Sequence, residues 1–316
     1  MRLSVVIPVY NRAHSIAPAL ESVLDQTRPA DEVIVVDDGS TDDLKTALAP
    51  YMDRIRLIRQ DNGGAARARN AGAAAATGDW LTFQDSDDLW SPDHLEVVAR
   101  DVAGADDGVV AHLGDVTYVG EGYRETLFQI KRRSFPAETA KRIERPLDLM
   151  ISGMTLQGAA VRATAWQRLG GLDAGMRIYE DTDFFCRLAL SGDFLVTGRN
   201  LAEILRLEGD GIALTGLEKR EPLYCRRMIV RYLEGLLPMD MTQGQRGMVR
   251  RSLSGALFRQ AEVEAHSDRR AALRSLLRAA RLHPDPLTGW GKSAAAGLLG
   301  RRGFRMILPP GTWDRS

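Results

Sequence analysis

Cysteine is almost missing from this chain of 316 residues. Cys186 and Cys225 stand alone, too few for a disulfide framework and without the spacing of a zinc site, which suits a reducing cytoplasm. No apolar run approaches the roughly 18 residues that a membrane-spanning helix needs. The opening MRLSVVIPVYNR has no long apolar core ahead of a small-residue cleavage site, so it reads as a strand and not as a secretion signal. Net charge is absent, with 42 Lys+Arg against 42 Asp+Glu. There is no G-x-G-x-x-G after the first strand and no G-x-x-x-x-G-K-[ST] anywhere, so dinucleotide and P-loop readings lack their phosphate cradle. The histidines His14, His94, His112, His266 and His283 show no ligand spacing. What is present, 44% apolar and 6% aromatic residues, is ordinary globular composition for one large core or two modest ones.

The balanced charge hides an asymmetry. Residues 218–316 carry 19 Lys+Arg against 9 Asp+Glu, which leaves 23 against 33 in residues 1–217. The front is acidic and the tail basic, so the two parts are expected to meet different partners. Nucleic acid is not expected among them.

The most informative stretch is WLTFQDSDDLWSPDHL, residues 80–95. A short apolar run, read as a buried strand, stops at Asp85, Ser86, Asp87 and Asp88, and Ser91-Pro92 reads as the start of a following helix. In open α/β sheets ligands bind at the carboxyl edge of the strands. Crowded carboxylates repel one another unless a cation or solvent relieves them, and hard oxygen ligands suit Mg²⁺ or Mn²⁺. An isolated D-x-D is more often an acidic turn that caps the next helix, so the motif needs company.

Company comes from the rest of the first hundred residues. Leu3–Val9 predicts a buried strand running into Tyr10-Asn11-Arg12, followed by a helix capped by Ser15 with Ile16, Leu20, Val23 and Leu24 as its apolar stripe. Glu32–Val36 is a second strand, ending at Asp37-Asp38-Gly39-Ser40. A third is expected at Ile55–Ile58, then a helix over Ala65–Ala76 carrying Arg67, Arg69 and Asn70. This order predicts an α/β fold with a mostly parallel, doubly wound sheet. Two strands thus end in acids at one edge, as a nucleotide diphosphate needs for a base and ribose pocket beside a metal clamp. Asp38 can accept hydrogen bonds from a base or ribose, Tyr10 can stack on the base, and Arg67 and Arg69 can reach a diphosphate. The alternatives are an ordinary turn at Asp37-Asp38-Gly39 and a solvated arginine face on the helix.

SVVIPVYNR, EVIVVDDGSTD, NGGAARARNAG, GDWLTFQDSDD and GGLDAGMRIYEDTDFFCRL together resemble the successive motifs of family-2 inverting glycosyltransferases, over roughly residues 1–210. The resemblance implies a GT-A-type catalytic domain at residues 1–216, with a nucleotide-sugar-binding half at 1–105 and an acceptor half at 106–216. It implies a nucleotide-diphosphate sugar donor, most often a UDP sugar, and Mn²⁺ or Mg²⁺. On the matching positions, Pro8 and Tyr10 line the base pocket, Asp38 holds the base, and Arg69 is the arginine of the A-R-N segment. Asp85 and Ser86 fall on the donor side, with Asp85 the ribose contact and a second metal ligand beside Asp87. Asp181 takes the base position, with Glu180 its neighbour. As an isolated pair, Glu180-Asp181 reads equally as acids favoured in a helix's first turn. A histidine that relatives carry in R-x-H-x-x-S is missing, since residues 205–214 read LRLEGDGIAL, leaving Glu208 and Asp210 as partial substitutes. The Q-x-x-R-W signature of processive relatives is absent, which implies transfer of one sugar.

The second half is less regular. A strand or hairpin is expected over Gly108–Val119, a mobile charged loop over Glu121–Pro146, a strand over Leu156–Val161, a helix over Ala165–Leu169 and another over Thr182–Leu190, opened by Glu180-Asp181. Residues 217–316 read as helical and basic, with stripes Met228, Tyr232, Leu236 and Leu273, Leu276, Leu277, Ala280. For Ala294–Leu308, rich in Leu, Phe and Arg, two readings stand open: a peripheral contact with the inner face of an anionic membrane, or a helical appendage with a solvated arginine face. The expected function is metal-dependent transfer of a sugar to a hydroxyl on a glycan or lipid-linked acceptor in envelope or extracellular glycan synthesis, in the cytoplasm. The alternatives are a sugar-phosphate nucleotidyltransferase, which needs a glycine-rich, lysine-bearing loop after strand one, and a module that binds a sugar nucleotide without turnover.

Overall fold

The computed structural model describes residues 1–206 and 216–282, and the chain divides into two compact units, Met1–Ile212 and Ala213–Ser316. In the first unit, every residue of β1 (Leu3–Val9) is buried, as a strand covered on both faces must be. α1 (Ile16–Leu24) follows, and Ile16, Ala19, Leu20 and Val23 form its buried stripe. Ser15 does occupy the cap position, yet its hydroxyl makes no cap bond and is buried without a partner. The turn is closed by the Arg12 carbonyl, which accepts the N–H groups of Ser15 and Ile16 at 3.0 Å each.

β2 (Glu32–Asp37), α2 (Leu44–Leu48), β3 (Arg56–Arg59), α3 (Ala65–Ala75) and β4 (Trp80–Phe83) complete the first half. β1 lies between β2 and β4, and β3 joins β2 on its far side, all parallel. β5 (Leu89–Trp90) and α4 (His94–Val102) come next. The helix therefore starts at His94 and not at Ser91-Pro92. Ser91 is held by β10 (Asp193–Arg206) instead, its N–H donating to Leu201 O and its hydroxyl to Asn200 O, both at 2.9 Å.

The second half contains β6 (Val109–Gly120), β7 (Tyr123–Thr126), α5 (Leu127–Ile130), β8 (Lys141–Ile143), α6 (Leu147–Met150), β9 (Ala159–Arg162), α7 (Ala163–Leu169) and α8 (Glu180–Ser191), ahead of β10. Residues 121–146 are thus built and not one mobile loop: β7 forms a hairpin with β6, β8 pairs with β10, and Thr126 and Gln129 make a reciprocal capping box on α5.

The sheet order is β3-β2-β1-β4-β9-β6-β10-β5. The α/β class with flanking helices holds, whereas the mostly parallel sheet is corrected to a mixed one. β9 runs antiparallel to both β4 and β6, β5 and β8 run antiparallel to β10, and β6 and β10 are parallel. One consequence is functional. An antiparallel β9 brings the residues just before it, Thr155–Gln157, to the edge where β1, β2 and β4 end. Behind that edge an aromatic ladder joins β4 to α8: Phe83 stacks on Trp166 with centroids 4.7 Å apart, and Trp166 meets Phe184 at 4.5 Å.

The second unit holds α9 (Leu217–Arg220), α10 (Pro222–Leu236), α11 (Gln243–Glu264) and α12 (Arg269–Leu282) among its described residues. Tyr232 and Leu236 are buried on α10 as expected. On α12 the inward face is Ala272, Ser275, Leu276 and Ala279, with Ala272 and Leu276 packing on Ala261; Leu273 and Leu277 of the expected stripe face outward. Glu264 is buried there and accepts bonds from Gln260 Nε2 at 2.9 Å and Ser275 Oγ at 2.7 Å. No helix among the described residues is long and apolar enough to cross a membrane. His283, Glu208, Asp210 and the stretch Ala294–Leu308 lie outside the described residues.

Candidate active site

The carboxyl ends of β1, β2 and β4 meet in one rim, and each strand contributes a loop. After β1, Asn11 adopts the left-handed conformation (φ 51°). Its N–H donates to Ser40 Oγ at 3.0 Å and its side-chain oxygen accepts the Thr41 N–H at 2.8 Å, so the loops after β1 and β2 are tied together. Gly39 completes the second loop at φ 80°, with Asn62 N only 2.8 Å from where a Cβ would stand. That close approach and that φ together exclude a side chain.

Asp38 is buried at this rim. Its carboxylate accepts Gln60 Nε2 at 2.7 Å, Gly63 N at 3.0 Å and Gly64 N at 2.8 Å. Three of the roughly four lone-pair positions of a carboxylate are thereby used to shape residues 60–64. Asp37 is satisfied by Ser40 N at 2.8 Å and by Arg59. Pro8 is buried within β1, opposite Val36, while Tyr10 stands at the surface, 37% exposed. Of the two expected base-pocket residues, only Tyr10 presents its ring to solvent.

The acids after β4 are each matched to a partner. Asp85 Oδ1 is 2.6 Å from Arg69 Nη2, and Gln157 Nε2 donates to Asp85 Oδ2. Asp87 Oδ2 is 3.2 Å from Arg12 Nη2. Asp88 accepts the Leu205 N–H at 2.9 Å. Burial, reinforced by the charges of Asp85 and Asp87, pushes the Asp88 carboxyl up to about 8. Ser86 is buried among them.

Arg69 is the hub. Its guanidinium, buried, reaches Asp85 with one nitrogen and Glu180 Oε1 with another at 3.1 Å. Burial opposes its charge, but Asp85, Glu180 and Asp181 outweigh that penalty and hold it ionised. Arg67, by contrast, is exposed. The A-R-N asparagine serves the same junction, since Asn70 exchanges two hydrogen bonds with Leu172, at 2.8 and 2.9 Å, and so fixes α3 to the segment leading into α8.

That segment enters α8 through Tyr179, in the left-handed region at φ 66°. Glu180 and Asp181 occupy the first turn, where the helix dipole favours anions. Asp181 Oδ1 accepts the Thr182 N–H at 2.6 Å, and its second oxygen takes no hydrogen bond from the described residues. Burial, then the neighbouring Glu180 charge, pushes the Asp181 carboxyl up to about 7. A carboxylate poised near neutrality with an open oxygen can accept a proton.

The sequence-predicted residues Asp38, Asp85, Ser86, Asp87, Glu180 and Asp181 thus gather at one sheet edge, linked through Arg69 and the loop after β1. The sequence assigns no role to Arg12, Gln157 or Asp88. The crowding of acids signals that a buried cation must be near but does not single out Arg12; Gln157 is 72 residues from Asp85 and carries no local signal.

Among the described residues, no three His, Cys, Asp or Glu side chains are arranged to hold a metal ion. This is not an all-protein cage. Mg²⁺-like ions, however, keep several waters and bind through one or two carboxylates plus substrate phosphates. Asp87, whose side chain is 33% exposed, and Asp85, at 27%, are hard oxygen donors that fit that pattern.

Comparison with known proteins bears on the family and the fold. The model of the glycosyl transferase family 2 matches residues 4–159. An uncharacterised glycosyltransferase of Haemophilus influenzae is 31% identical over 61% of this chain and 63% of its own length, so the chain spans less than two thirds of that relative. The uncharacterised glycosyltransferase YwdF of Bacillus subtilis is 30% identical over 60% of this chain and 68% of its own. Among solved structures, residues 1–349 of Staphylococcus aureus TarS in complex with UDP-GlcNAc superpose with a TM-score of 0.69 at 19% identity, covering 96% of this chain and 88% of that one. The mannosyltransferase PcManGT of Pyrobaculum calidifontis, in complex with GDP-Man and Mn²⁺, gives 0.53 at 19% identity over 96% and 82%. At such identities the structural likeness speaks for the fold, and the sequence matches speak for descent: the chain belongs to glycosyl transferase family 2.

Proposed function

We propose that this protein transfers a single sugar, with inversion, from a nucleotide-diphosphate sugar to an acceptor hydroxyl, with Asp181 as the base. A UDP sugar is the favoured donor, because the TarS structure holds UDP-GlcNAc on the same fold. The observation that carries the reading is Asp181 itself: a carboxyl raised to about 7, with one oxygen open, joined through Glu180 and Arg69 to the acids at the end of β4.

The chemistry follows from opposed faces. The acceptor O–H gives its proton to Asp181 as its oxygen bonds to the anomeric carbon, while the bond from that carbon to the diphosphate oxygen breaks and the nucleoside diphosphate leaves with the electron pair. One in-line displacement inverts the anomeric centre. Tyr10 offers a ring face to the base, and Asp38 retains one acceptor position for it. Mn²⁺ or Mg²⁺ held by Asp87 and Asp85 would supply positive charge to the departing diphosphate. The glycan or lipid-linked nature of the acceptor, and a place in envelope or extracellular glycan synthesis, belong to this proposal as well. The nucleotidyltransferase alternative gains nothing, since β1 runs into Tyr10-Asn11-Arg12-Ala13-His14, without glycine or lysine.

The test is Asp181→Asn. Donor turnover, scored across a panel of nucleotide sugars with Mn²⁺, is expected to fall by about 10²-fold or more, as for loss of a general base, while UDP affinity stays within about twofold. Unchanged turnover would remove Asp181 from the mechanism.

A further inference from the structure

Arg12 has no part in the chemistry above, yet it sits on the carboxylate proposed to receive the metal. Its guanidinium lies 3.2 Å from Asp87 Oδ2 and is almost wholly buried, the side chain 10% exposed. Its position is not accidental. The Arg12 carbonyl closes the turn that leads into α1, and the preceding Asn11 is pinned to Ser40 and Thr41 of the neighbouring loop. The backbone is therefore anchored on both sides while the side chain crosses to the β4 acids. Asp85, the other hard donor, is already paired with Arg69 and Gln157. A cation entering this rim must take Asp87 from Arg12.

We infer that Arg12 is a resident counter-cation for Asp87 that makes metal entry depend on the donor's diphosphate. A bare divalent ion has to break a charge-assisted pair whose arginine is nearly buried and gains the Asp87 carboxylate in exchange. An ion arriving with a diphosphate brings an anion to which the released guanidinium can pair in bidentate fashion, the geometry in which arginine binds phosphate best. Metal and nucleotide then bind with positive coupling, and that coupling is reciprocal: each raises the affinity of the other by the same factor. Arg12 is accordingly a positioning residue, acting through Asp87. The inference rests on the function proposed above.

The experiment is calorimetric titration of the full-length protein with MnCl₂ alone, with UDP alone and with both, for wild type, Arg12→Gln and Arg12→Lys, each first shown to melt cooperatively. In wild type the affinity for Mn²⁺ is expected to rise by about tenfold or more when UDP is present, within the usual range of coupling between sites. In Arg12→Gln the affinity for Mn²⁺ alone rises several-fold and the coupling falls toward one; Arg12→Lys, which keeps a charge, lies nearer wild type. A tighter bare-metal site is a change that a merely structural role for Arg12 would not produce. Equal or weaker Mn²⁺ binding by Arg12→Gln, with wild-type UDP binding intact, overturns this inference and leaves the function standing. Absence of binding to wild type with Mn²⁺ by UDP and by every other nucleoside diphosphate overturns both.

Discussion

Asp181 shows how much one side chain's surroundings can decide. Its carboxyl has an ordinary value of 3.8 and is raised to about 7 by burial and by Glu180. A base must be ionised to work, so kcat/KM is expected to rise with pH through about 7 and level above it, since that parameter reports the free enzyme. A rate profile flat from about pH 5 to about pH 8 would contradict the assignment. Stability runs the other way. A raised carboxyl contributes stability below its unfolded value of 3.8 that is lost as pH rises through about 7, because the fold prefers the protonated form. Asp88, raised to about 8 by burial and by Asp85 and Asp87, acts in the same direction. Activity and stability therefore pull apart at these acids. At this scale the sequence shows which residues carry charge but not who neutralises them. Asp85 and Asp87 are legible because acids at a strand end are chemically conspicuous, whereas Asp181, in the first turn of α8, is singled out only by the family resemblance. Arg12 looks like any residue after a turn, and Gln157 reaches Asp85 only because β9 runs antiparallel.

Among the elements, α3 carries the tightest test of packing. Gly72 faces β1 and β2, and a Cβ there would stand 2.3 Å from Val6 Cγ1 and 3.1 Å from Val36 Cγ2. Helix propensity alone favours Gly72→Ala by ~1 kcal/mol, while forcing extra volume into a well-packed contact costs ~1–3 kcal/mol. The packing effect is expected to win, lowering the urea midpoint without changing the slope; a raised midpoint would show that β1 and α3 can separate. The same physics explains which elements could be read from sequence. β1, β2 and β4 are buried on both faces and announce themselves as apolar runs. β7 and β8 are largely exposed and have no apolar pattern to detect, so 121–146 reads as a loop. β10 suffers register shifts against β6 around Asn200, which break its alternation. On α12 the sequence favours large leucines as the core stripe, whereas close packing on Ala261 selects Ala272 and Leu276, with Ala279 also buried, and turns Leu273 and Leu277 out.

At the scale of the whole molecule, the site is assembled from segments far apart in sequence. The family model covers residues 4–159 and stops short of Glu180 and Asp181, which Arg69 brings back to the strand ends. Residues 1–217 carry ten more Asp+Glu than Lys+Arg, 33 against 23. A doubly charged diphosphate meets an unfavourable field on approaching such a surface. On the proposed function, a cation at Asp87 would reverse the local sign and make donor binding and metal binding one event. The most direct measurement is therefore titration of nucleoside diphosphates into the wild-type protein and Asp87→Asn, each with and without Mn²⁺. The account predicts that at least one of them, UDP first, binds wild type about tenfold or more tighter with Mn²⁺, a difference of ~1.4 kcal/mol or more, and that Asp87→Asn loses this gain. Binding that ignores both the metal and the substitution, or no binding by any nucleoside diphosphate, would contradict it.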